Sequence, residues 1–194
     1  MAVAGTDIAL TVDSNVVHYY FLFINNNPLP LGLMVRRIKD FSNSIMSKYP
    51  IAINKFIRIE YEQCEGLETI KNWLAKRLQM GLAIEVDCKQ LPKKIKNCLR
   101  GDYGFDCQSW DMRYLQACFN TIFKHLVTAN SEHFDRPHRS VRGRTMPVYL
   151  KRELDLCICT IDKCCMILLD GQKDEQVDTS ANKDFTDHCV HANA

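Results

Sequence analysis

The chain has 194 residues, of which 46% are hydrophobic and 25% are charged, and its formal net charge is +2. This length and composition predict a single compact domain whose core is large enough to fold without disulfide or metal staples. A charge so close to zero gives no whole-molecule signal for binding nucleic acid or a membrane, and no apolar run reaches the ~20 residues of a membrane-spanning helix.

The N-terminal residues 1–15 are small or polar and contain neither a basic segment nor a continuous apolar run. We therefore expect no signal peptide and a protein made in the cytosol. We also expect this segment to be an arm that becomes ordered only against neighbouring molecules. Its candidate assembly residues are Ala2, Val3, Thr6, Ile8 and Leu10.

The stretch from Val16 to Tyr61 organises the prediction for the rest of the chain. Its first part, Val16 to Ile24, is a run of β-branched and aromatic residues that favours a buried strand, and Asn25 to Pro28 ends that run. Apolar residues then recur at helical spacing from Met34 to Tyr49, which predicts an amphipathic helix. The alternation from Phe56 to Tyr61 predicts a second strand.

A second amphipathic helix is predicted over residues 67–78, between Gly66 and Gly81. Gly81 suits the position after a helix C-terminus, because glycine adopts a left-handed backbone easily. The alternating segment Leu82 to Cys88 then predicts another strand.

The second half of the chain begins with residues 89–104, which we expect to be a loop. Ser109 is a good N-cap for a third helix, whose wide apolar stripe runs to Leu126. Residues 130–147 are polar, basic and aperiodic, and residues 148–169 are predicted to form a β-hairpin.

Together these elements predict an α+β fold with a mostly antiparallel, β-sandwich-like core, about three amphipathic helices and the N-terminal arm. The globular domain is expected to span residues 16–170. Residues 171–194 are expected to be a polar C-terminal tail, ordered only by a partner.

No motif of an established catalytic or metal site occurs in the sequence, so we predict no catalytic residues and no metal site. The ten cysteines lie mostly among apolar neighbours, which favours buried thiols in a reducing compartment. Two groups nevertheless invite a metal interpretation, and neither has the paired Cys-x-x-Cys spacing of a zinc site. They are Cys157, Cys159, Cys164 and Cys165 in the predicted hairpin, and His188, Cys189 and His191 in the tail.

A basic loop from His133 to Arg144 contains the candidate residues for binding a phosphate or a nucleotide. Arginine fits phosphate oxygens with two parallel hydrogen bonds, but a solvated loop or arginine–carboxylate pairs at an interface explain the same residues. The candidates are Arg136, His138, Arg139, Arg142 and Arg144.

The order of these elements resembles the cypovirus polyhedrins, the occlusion-body proteins of insect reoviruses. The similarity lies in a small-residue opening, an aromatic strand, an Asn-containing turn, a helix, and a further aromatic strand with a Gly turn, followed by a fainter match at an aromatic–glycine turn. These places are held here by Met1 to Thr6, Tyr19-Tyr20-Phe21, Asn25-Asn26-Asn27, Val35 to Tyr49, Ile57 to Gly66, and Tyr103-Gly104-Phe105.

The resemblance implies a β-sandwich-like core, assembly into homotrimers, and cross-linking of trimers by the arm into a crystal inside the infected insect cell. We accordingly expect a structural protein without enzymatic activity, partnered by copies of itself and by virus particles. The protein would be made in the cytoplasm of the infected insect cell and released within occlusion bodies. No cofactor is required, a bound nucleotide is compatible with the basic loop, and neither membrane nor nucleic-acid binding is expected.

Two alternatives stay open at this point. The first is a small viral accessory protein that binds RNA or a host protein through the basic loop. The second is a cysteine-dependent enzyme, for which one thiol would react far faster than the others.

The resemblance also implies that the crystal dissolves in the alkaline insect midgut. Burial raises the pKa of tyrosines and cysteines, so a packed lattice loses stability as the pH rises above roughly 10. The candidate residues for this alkaline switch are Tyr19, Tyr20, Tyr61, Tyr103, Tyr114 and Tyr149.

Overall fold

A computed structural model of the protein describes residues 8–29 and 35–170. In this part of the chain, short strands alternate with helices. The strands are β1 (Thr11–Val12), β2 (Ile51–Ile53), β3 (Ala83–Glu85), β4 (His125–Val127) and β5 (Cys157–Cys159). The helices are α1 (Ser14–Ile24), α2 (Val35–Asp40), α3 (Lys55–Glu65), α4 (Leu67–Gln79), α5 (Lys93–Asp102), α6 (Trp110–Phe119), α7 (Met146–Leu154) and α8 (Ile161–Cys165). Wider π-helical turns extend α2 over Phe41–Ile45 and α8 over Met166–Asp170, and a 3-10 turn spans Ser131–His133.

All the strand pairs in the described residues are parallel. β4 pairs with β1 on one side and with β5 on the other, and β2 pairs with β3. A bridge between Leu10 and Ile51 joins the two sets, because the Leu10 N–H donates to Pro50 O at 2.9 Å and the Ala52 N–H donates to Leu10 O at 2.8 Å. The strand order is therefore β3-β2-β1-β4-β5.

The predicted antiparallel β-sandwich-like core is wrong. The fold is rich in helices, and its sheets are small and parallel. Parallel neighbours cannot be joined by a tight turn, so each connection carries one or more helices across the sheet. The prediction failed because two apolar segments that were assigned to strands are helices.

The first of these segments is α1, which replaces the predicted strand over Val16 to Ile24. Asp13 caps the helix by accepting the Asn15 N–H. Val16, Val17 and Phe21 turn into the core, a spacing that suits a helix and not a strand. The β-branched and aromatic composition of the run favours a strand, but packing against the sheet outweighs that weak preference.

The second segment is α3, which replaces the predicted strand over Phe56 to Tyr61. Asn54 begins it by accepting the N–H groups of Phe56 and Ile57 at 2.9 and 3.0 Å. Ile57 and Tyr61, four residues apart, are fully buried. The alternating sequence is therefore compatible with one buried helical stripe.

Three boundaries in the second half of the chain also differ from the prediction. The expected loop over 89–104 contains α5, and the helix expected to reach Leu126 ends at Phe119 so that β4 can enter the sheet. The expected hairpin over 148–169 is α7, β5 and α8. Pro147 in the first turn of α7 and Thr160 as the N-cap of α8 are helix-start signals.

Other predictions are confirmed. The helix expected after Met34 is present as α2 and its π-helical extension, and α4 follows Gly66 as predicted. Gly81, the residue after the Met80 C-cap of α4, has a positive φ of 70°, and Ser109 caps α6 by accepting the Met112 N–H at 3.4 Å. The central part of the segment Leu82 to Cys88 is β3.

The predicted N-terminal arm is corrected from Ile8 onward. Leu10 is fully buried and forms the bridge to Ile51, Ile8 packs against the core, and Thr11–Val12 pairs with β4. The remaining arm candidates, Ala2, Val3 and Thr6, lie outside the described residues, as does the C-terminal tail with His188, Cys189 and His191. Within the described ranges, no helix has the length and apolar character needed to cross a bilayer.

Candidate functional site

Polar side chains gather where β1 and β4 end. The chain leaves β1 to form β2 on one side of it, whereas β4 and β5 lie on the other side. In open parallel sheets, ligands bind outside the carboxyl ends of the strands at this kind of reversal in strand order. Asp13 follows β1 directly and Thr128 follows β4 directly, so both lie at this point.

Asp13 is held in place by groups from both strands. Its side chain is almost fully buried, with 5% exposure of the residue. The Thr128 hydroxyl donates to Asp13 Oδ2 at 2.7 Å, and the Ser14 hydroxyl and the Asn15 N–H lie 3.3 and 3.5 Å from Oδ1. These contacts fix the direction of the carboxylate at the start of α1.

Glu60 on α3 is the second carboxylate of the site. The Ser14 hydroxyl donates to Glu60 Oε1 at 2.8 Å, whereas Oε2 is buried and has no hydrogen-bond partner. Burial raises the pKa of Glu60, and the negative charges of Asp13 and Asp111 raise it further, against the lowering effect of hydrogen bonds from Ser14 and Tyr114. An unpartnered buried carboxylate oxygen is costly unless a ligand completes it.

Asp111, in the first turn of α6, is the third carboxylate. Burial raises its pKa and Asp13 raises it further, while His133 and Arg136 lower it. His133 Nδ1 lies 3.7 Å from Asp111 Oδ2. Asp13, Glu60 and Asp111 thus lie close enough together for their charges to interact.

These carboxylates suit a hard divalent cation that takes only some of its ligands from the protein. Among the described residues, no group of three or more His, Cys, Asp or Glu side chains is arranged to hold a metal ion. Mg²⁺, however, is commonly bound through one or two carboxylates, with water and substrate phosphate completing its coordination. Ser14 Oγ lies between the two carboxylates, 3.3 Å from Asp13 Oδ1 and 2.8 Å from Glu60 Oε1, and Glu60 Oε2 is left without a hydrogen-bond partner.

A row of aromatic and cationic side chains lies on α3 and α6, the helices that carry Glu60 and Asp111. The Arg113 guanidinium carbon is 4.0 Å from the ring centroid of Trp110 and 4.5 Å from that of Phe56, and Lys55 Nζ is 5.0 Å from the Phe56 centroid. Trp110 precedes Asp111 in α6, and Phe56 lies one helical turn before Glu60 in α3. We call Lys55, Phe56, Trp110 and Arg113 the aromatic–cationic row.

The first residues of the basic loop are the part of it that lies next to the carboxylate site. Arg136 donates from Nε to His133 O at 3.1 Å and lowers the pKa of Asp111. The His138 ring instead accepts the N–H groups of Ser140 and Val141, and it contacts the edge of Tyr103. The side chains of Arg139, Arg142 and Arg144 are exposed farther along the loop. The phosphate-binding role of these five residues stays a prediction.

The six predicted switch tyrosines lie in three places. Tyr19 and Tyr20 are partly buried on α1, and Tyr103 and Tyr149 pack together with ring centroids 5.4 Å apart. Tyr61 and Tyr114 are almost fully buried near the carboxylates, where the Tyr61 hydroxyl donates to Val12 O. Burial raises the pKa of Tyr61, Tyr103, Tyr114 and Tyr149.

The cysteines of the predicted hairpin do not form the arrangement that a shared strand face would give. Cys157 and Cys159 belong to β5, whereas Cys164 and Cys165 belong to α8. Cys159 Sγ donates to Leu126 O at 3.6 Å, and Cys164 and Cys165 are buried in the core. The nine cysteines of the described residues are free thiols.

The carboxylate site was missed because Asp13 lay in the segment assigned to the arm. One available signal was the aspartate that ends the apolar segment Leu10 to Val12, with Thr128 in the corresponding place after Leu126 and Val127. Polar residues directly after parallel strands are typical of sites at the edge of a sheet. Recognising them required the strands to be assigned first.

Comparisons with known proteins do not place the chain in a family. No family model matches it, no curated protein matches it, and no solved structure matches it.

Proposed function

We propose that this protein is a divalent-metal-dependent nuclease that hydrolyses phosphodiester bonds at Asp13, Glu60 and Asp111. The observation that carries the proposal is the buried, unpartnered Glu60 Oε2 beside a carboxylate that is fixed at the carboxyl ends of two parallel strands. An incoming Mg²⁺ or Mn²⁺ would relieve both the missing partner and the repulsion among the three carboxylates.

The bound cation would polarise the phosphate and lower the pKa of an attacking water. Asp13 and Glu60 are the residues that would hold it, and Asp111 adds negative charge at the same place. In the reaction, the water oxygen bonds to phosphorus, the phosphorus–oxygen ester bond breaks, and a proton passes to the leaving oxygen. The Thr128 hydroxyl and the Asn15 N–H keep the Asp13 carboxylate directed into the site.

The surroundings support a nucleic-acid substrate. The aromatic–cationic row places rings and positive charge on the helices that carry Glu60 and Asp111. Aromatic side chains with neighbouring arginines bind nucleic-acid bases by stacking and cation–π contact. The exposed Arg139, Arg142 and Arg144 add phosphate-binding charge farther out.

The occlusion-body function implied by the polyhedrin resemblance stays a prediction. The β-sandwich-like core that the resemblance implied is replaced by parallel strands, so we base the proposal on the carboxylates instead. It departs from the sequence-based expectation of a protein without enzymatic activity, and it retains the alternative of RNA binding through the basic loop.

The test is a cleavage assay on the purified full chain. Fluorescently labelled RNA and DNA oligonucleotides, single-stranded and duplex, are incubated with Mg²⁺, Mn²⁺ or a chelator. We expect metal-dependent cleavage that falls in Asp13→Asn and Glu60→Gln by more than the roughly 10–100-fold cost of losing an outer-shell partner. Asp155→Asn and Glu68→Gln are matched controls, since both residues are exposed and Asp155 has the positive φ that asparagine tolerates.

Cleavage that persists in chelator, or that survives both carboxylate substitutions, would overturn the proposal. Release of phosphate from monoesters without any cut in the oligonucleotides would leave a metal-dependent phosphatase and overturn the assignment of nucleic acid as substrate.

A further inference from the structure

We propose that His138 is a pH-sensitive switch in the basic loop. Its neutral imidazole holds the tip of the loop, residues 140–143, against the rest of the protein, and protonation of the ring releases the tip. The proposal uses none of the three carboxylates of the candidate site, so it holds or fails independently of the nuclease proposal.

The base of the loop is attached to the end of α5. The His138 N–H donates to Arg144 O at 2.8 Å, and the Arg139 N–H donates to Asp102 O at 2.8 Å. The Arg139 side chain lies against Gly104, where a Cβ atom would come within 2.5 Å of Arg139 Nη2. The backbone of His138 is therefore fixed by both sides of the loop and by the helix below it.

The imidazole joins this fixed base to the tip. His138 Nδ1 accepts the N–H groups of Ser140 and Val141, each at 3.1 Å. The ring meets the Tyr103 ring at its edge, with centroids 5.2 Å apart and planes at 79°. An imidazole nitrogen that accepts hydrogen bonds carries no proton, so the proton of the neutral ring is on Nε2.

Protonation would reverse the chemistry of Nδ1. Both nitrogens of an imidazolium are donors, so Nδ1–H would face the N–H groups of Ser140 and Val141 and both hydrogen bonds would be lost. Among the described residues, the hydrogen bond left to the tip is that from the Arg144 N–H to Val141 O, which is long at 3.4 Å. The tip should therefore detach while the base stays in place.

The charged and titratable groups around the ring come from three elements. They are Cys98, Asp102 and Tyr103 from α5 and its C-cap, Arg139, Arg142 and Arg144 from the loop, and Tyr149 and Arg152 from α7. Arginine and aspartate side chains stay charged between about pH 5 and pH 8. Burial raises the pKa of Cys98, Tyr103 and Tyr149, so they stay neutral over this range, in which an imidazole changes charge.

Asparagine offers a matched variant because its Oδ1 is bonded to Cγ, as Nδ1 is in histidine. An asparagine oxygen accepts the N–H groups two and three positions ahead in turns and helix caps, which are the positions of Ser140 and Val141. It does not titrate. His138→Asn should therefore keep the tip attached at every pH, whereas His138→Ala, which has no acceptor, should leave it detached at every pH.

The experiment follows the ¹⁵N-labelled full chain by nuclear magnetic resonance from about pH 8 to about pH 5. In the wild type, we expect the amide proton signals of Ser140 and Val141 to move upfield with the same midpoint as the His138 ring. The heteronuclear NOE of Arg142 should fall over the same range, because the tip gains fast motion. His133→Asn, which removes another histidine of the loop, is the control and should respond as the wild type does.

In His138→Asn, the Ser140 and Val141 signals should stay in place. In His138→Ala at pH 8, they should already lie where the wild-type signals lie at acidic pH. Wild-type signals that do not move with the ring would overturn the proposal. An asparagine variant that responds like the wild type would also overturn it, because the response would then belong to another group. The same holds for an alanine variant whose signals at pH 8 match those of the wild type.

Discussion

The Thr128 hydroxyl donates a 2.7 Å hydrogen bond to Asp13 Oδ2, joining residues that lie 115 positions apart in the chain. The bond links the ends of β4 and β1, whose pairing places Leu126 opposite Thr11 and Val127 opposite Val12. The Asp13 N–H also donates to Val127 O at 2.9 Å. The carboxylate on which the site depends is therefore directed by the strand next to its own.

Thr128→Val should lower the free energy of unfolding by about 1–3 kcal/mol, because it leaves a buried carboxylate oxygen without its donor. Thr11→Val is the matched control. Thr11 is also fully buried, but its hydroxyl has no nitrogen or oxygen partner, so this variant should be neutral or slightly stabilising. Urea denaturation measures both. Equal losses would show that the bond to Asp13 contributes nothing beyond packing.

Glu60→Gln should raise Tm by a few degrees in chelator at neutral pH while abolishing activity. The folded-state pKa of Glu60 lies above its usual value. As the pH rises through the usual value, the unfolded chain loses the proton that the folded protein keeps, so this group makes stability fall with rising pH until the folded value is passed. The stability of Glu60→Gln should therefore fall less steeply with rising pH than that of the wild type.

The Tm measurements are then repeated with added metal. Added Mn²⁺ should raise the Tm of the wild type but not that of Glu60→Gln, because only the folded wild type offers the site. Glu68→Gln, on an exposed residue, should behave as the wild type throughout. A Glu60→Gln variant that is less stable than the wild type in chelator would contradict the repulsion among the carboxylates.

Arg77→Lys should lower the free energy of unfolding by at least about 2 kcal/mol. The guanidinium, 6% exposed, donates to Met46 O at 2.7 Å, Leu82 O at 3.2 Å and Tyr49 O at 3.3 Å. A lysine ammonium cannot reproduce this planar set of donors. Arg58→Lys, on an exposed residue, should stay within about 0.5 kcal/mol of the wild type in the same urea denaturation.

Replacing Arg139, Arg142 and Arg144 together with alanine should weaken oligonucleotide binding in chelator. For a single strand, the slope of log affinity against log salt should fall by about 2, since each lost phosphate contact contributes about 0.7. The exposed Lys39, Lys71 and Lys76, replaced in the same way, are the control. Fluorescence anisotropy over a series of salt concentrations measures the slopes. Unchanged slopes in the arginine variant would restrict substrate contact to the carboxylate end.

The isolated chain should lose stability above roughly pH 10. The folded-state pKa of Tyr61 and of Tyr114 is raised above the ordinary value, chiefly by burial. The stabilisation from such a group is complete below the unfolded pKa and is lost as the pH rises toward the folded value. Tyrosinate absorbance should therefore show these two residues ionising only together with unfolding. Early ionisation of all tyrosines in a folded chain would contradict this.

The sequence by itself determined the elements with strong local signals. The glycines flanking α4 mark its ends through backbone freedom, and Ser109 marks the start of α6 through its cap. The sequence also indicated a core without disulfides. These features depend on neighbours within a few residues, so local rules describe them.

Tertiary structure alone decided that Val16 to Ile24 and Phe56 to Tyr61 are helices and that Thr11–Val12 is a strand paired with β4. Local composition favoured strands for both helical segments, but burial against a parallel sheet outweighs preferences of ~1 kcal/mol. The candidate site followed from the same decision. Asp13, Glu60 and Asp111 lie on three separate elements, and their charges interact only once β1 is placed beside β4 and α3 and α6 pack beside it.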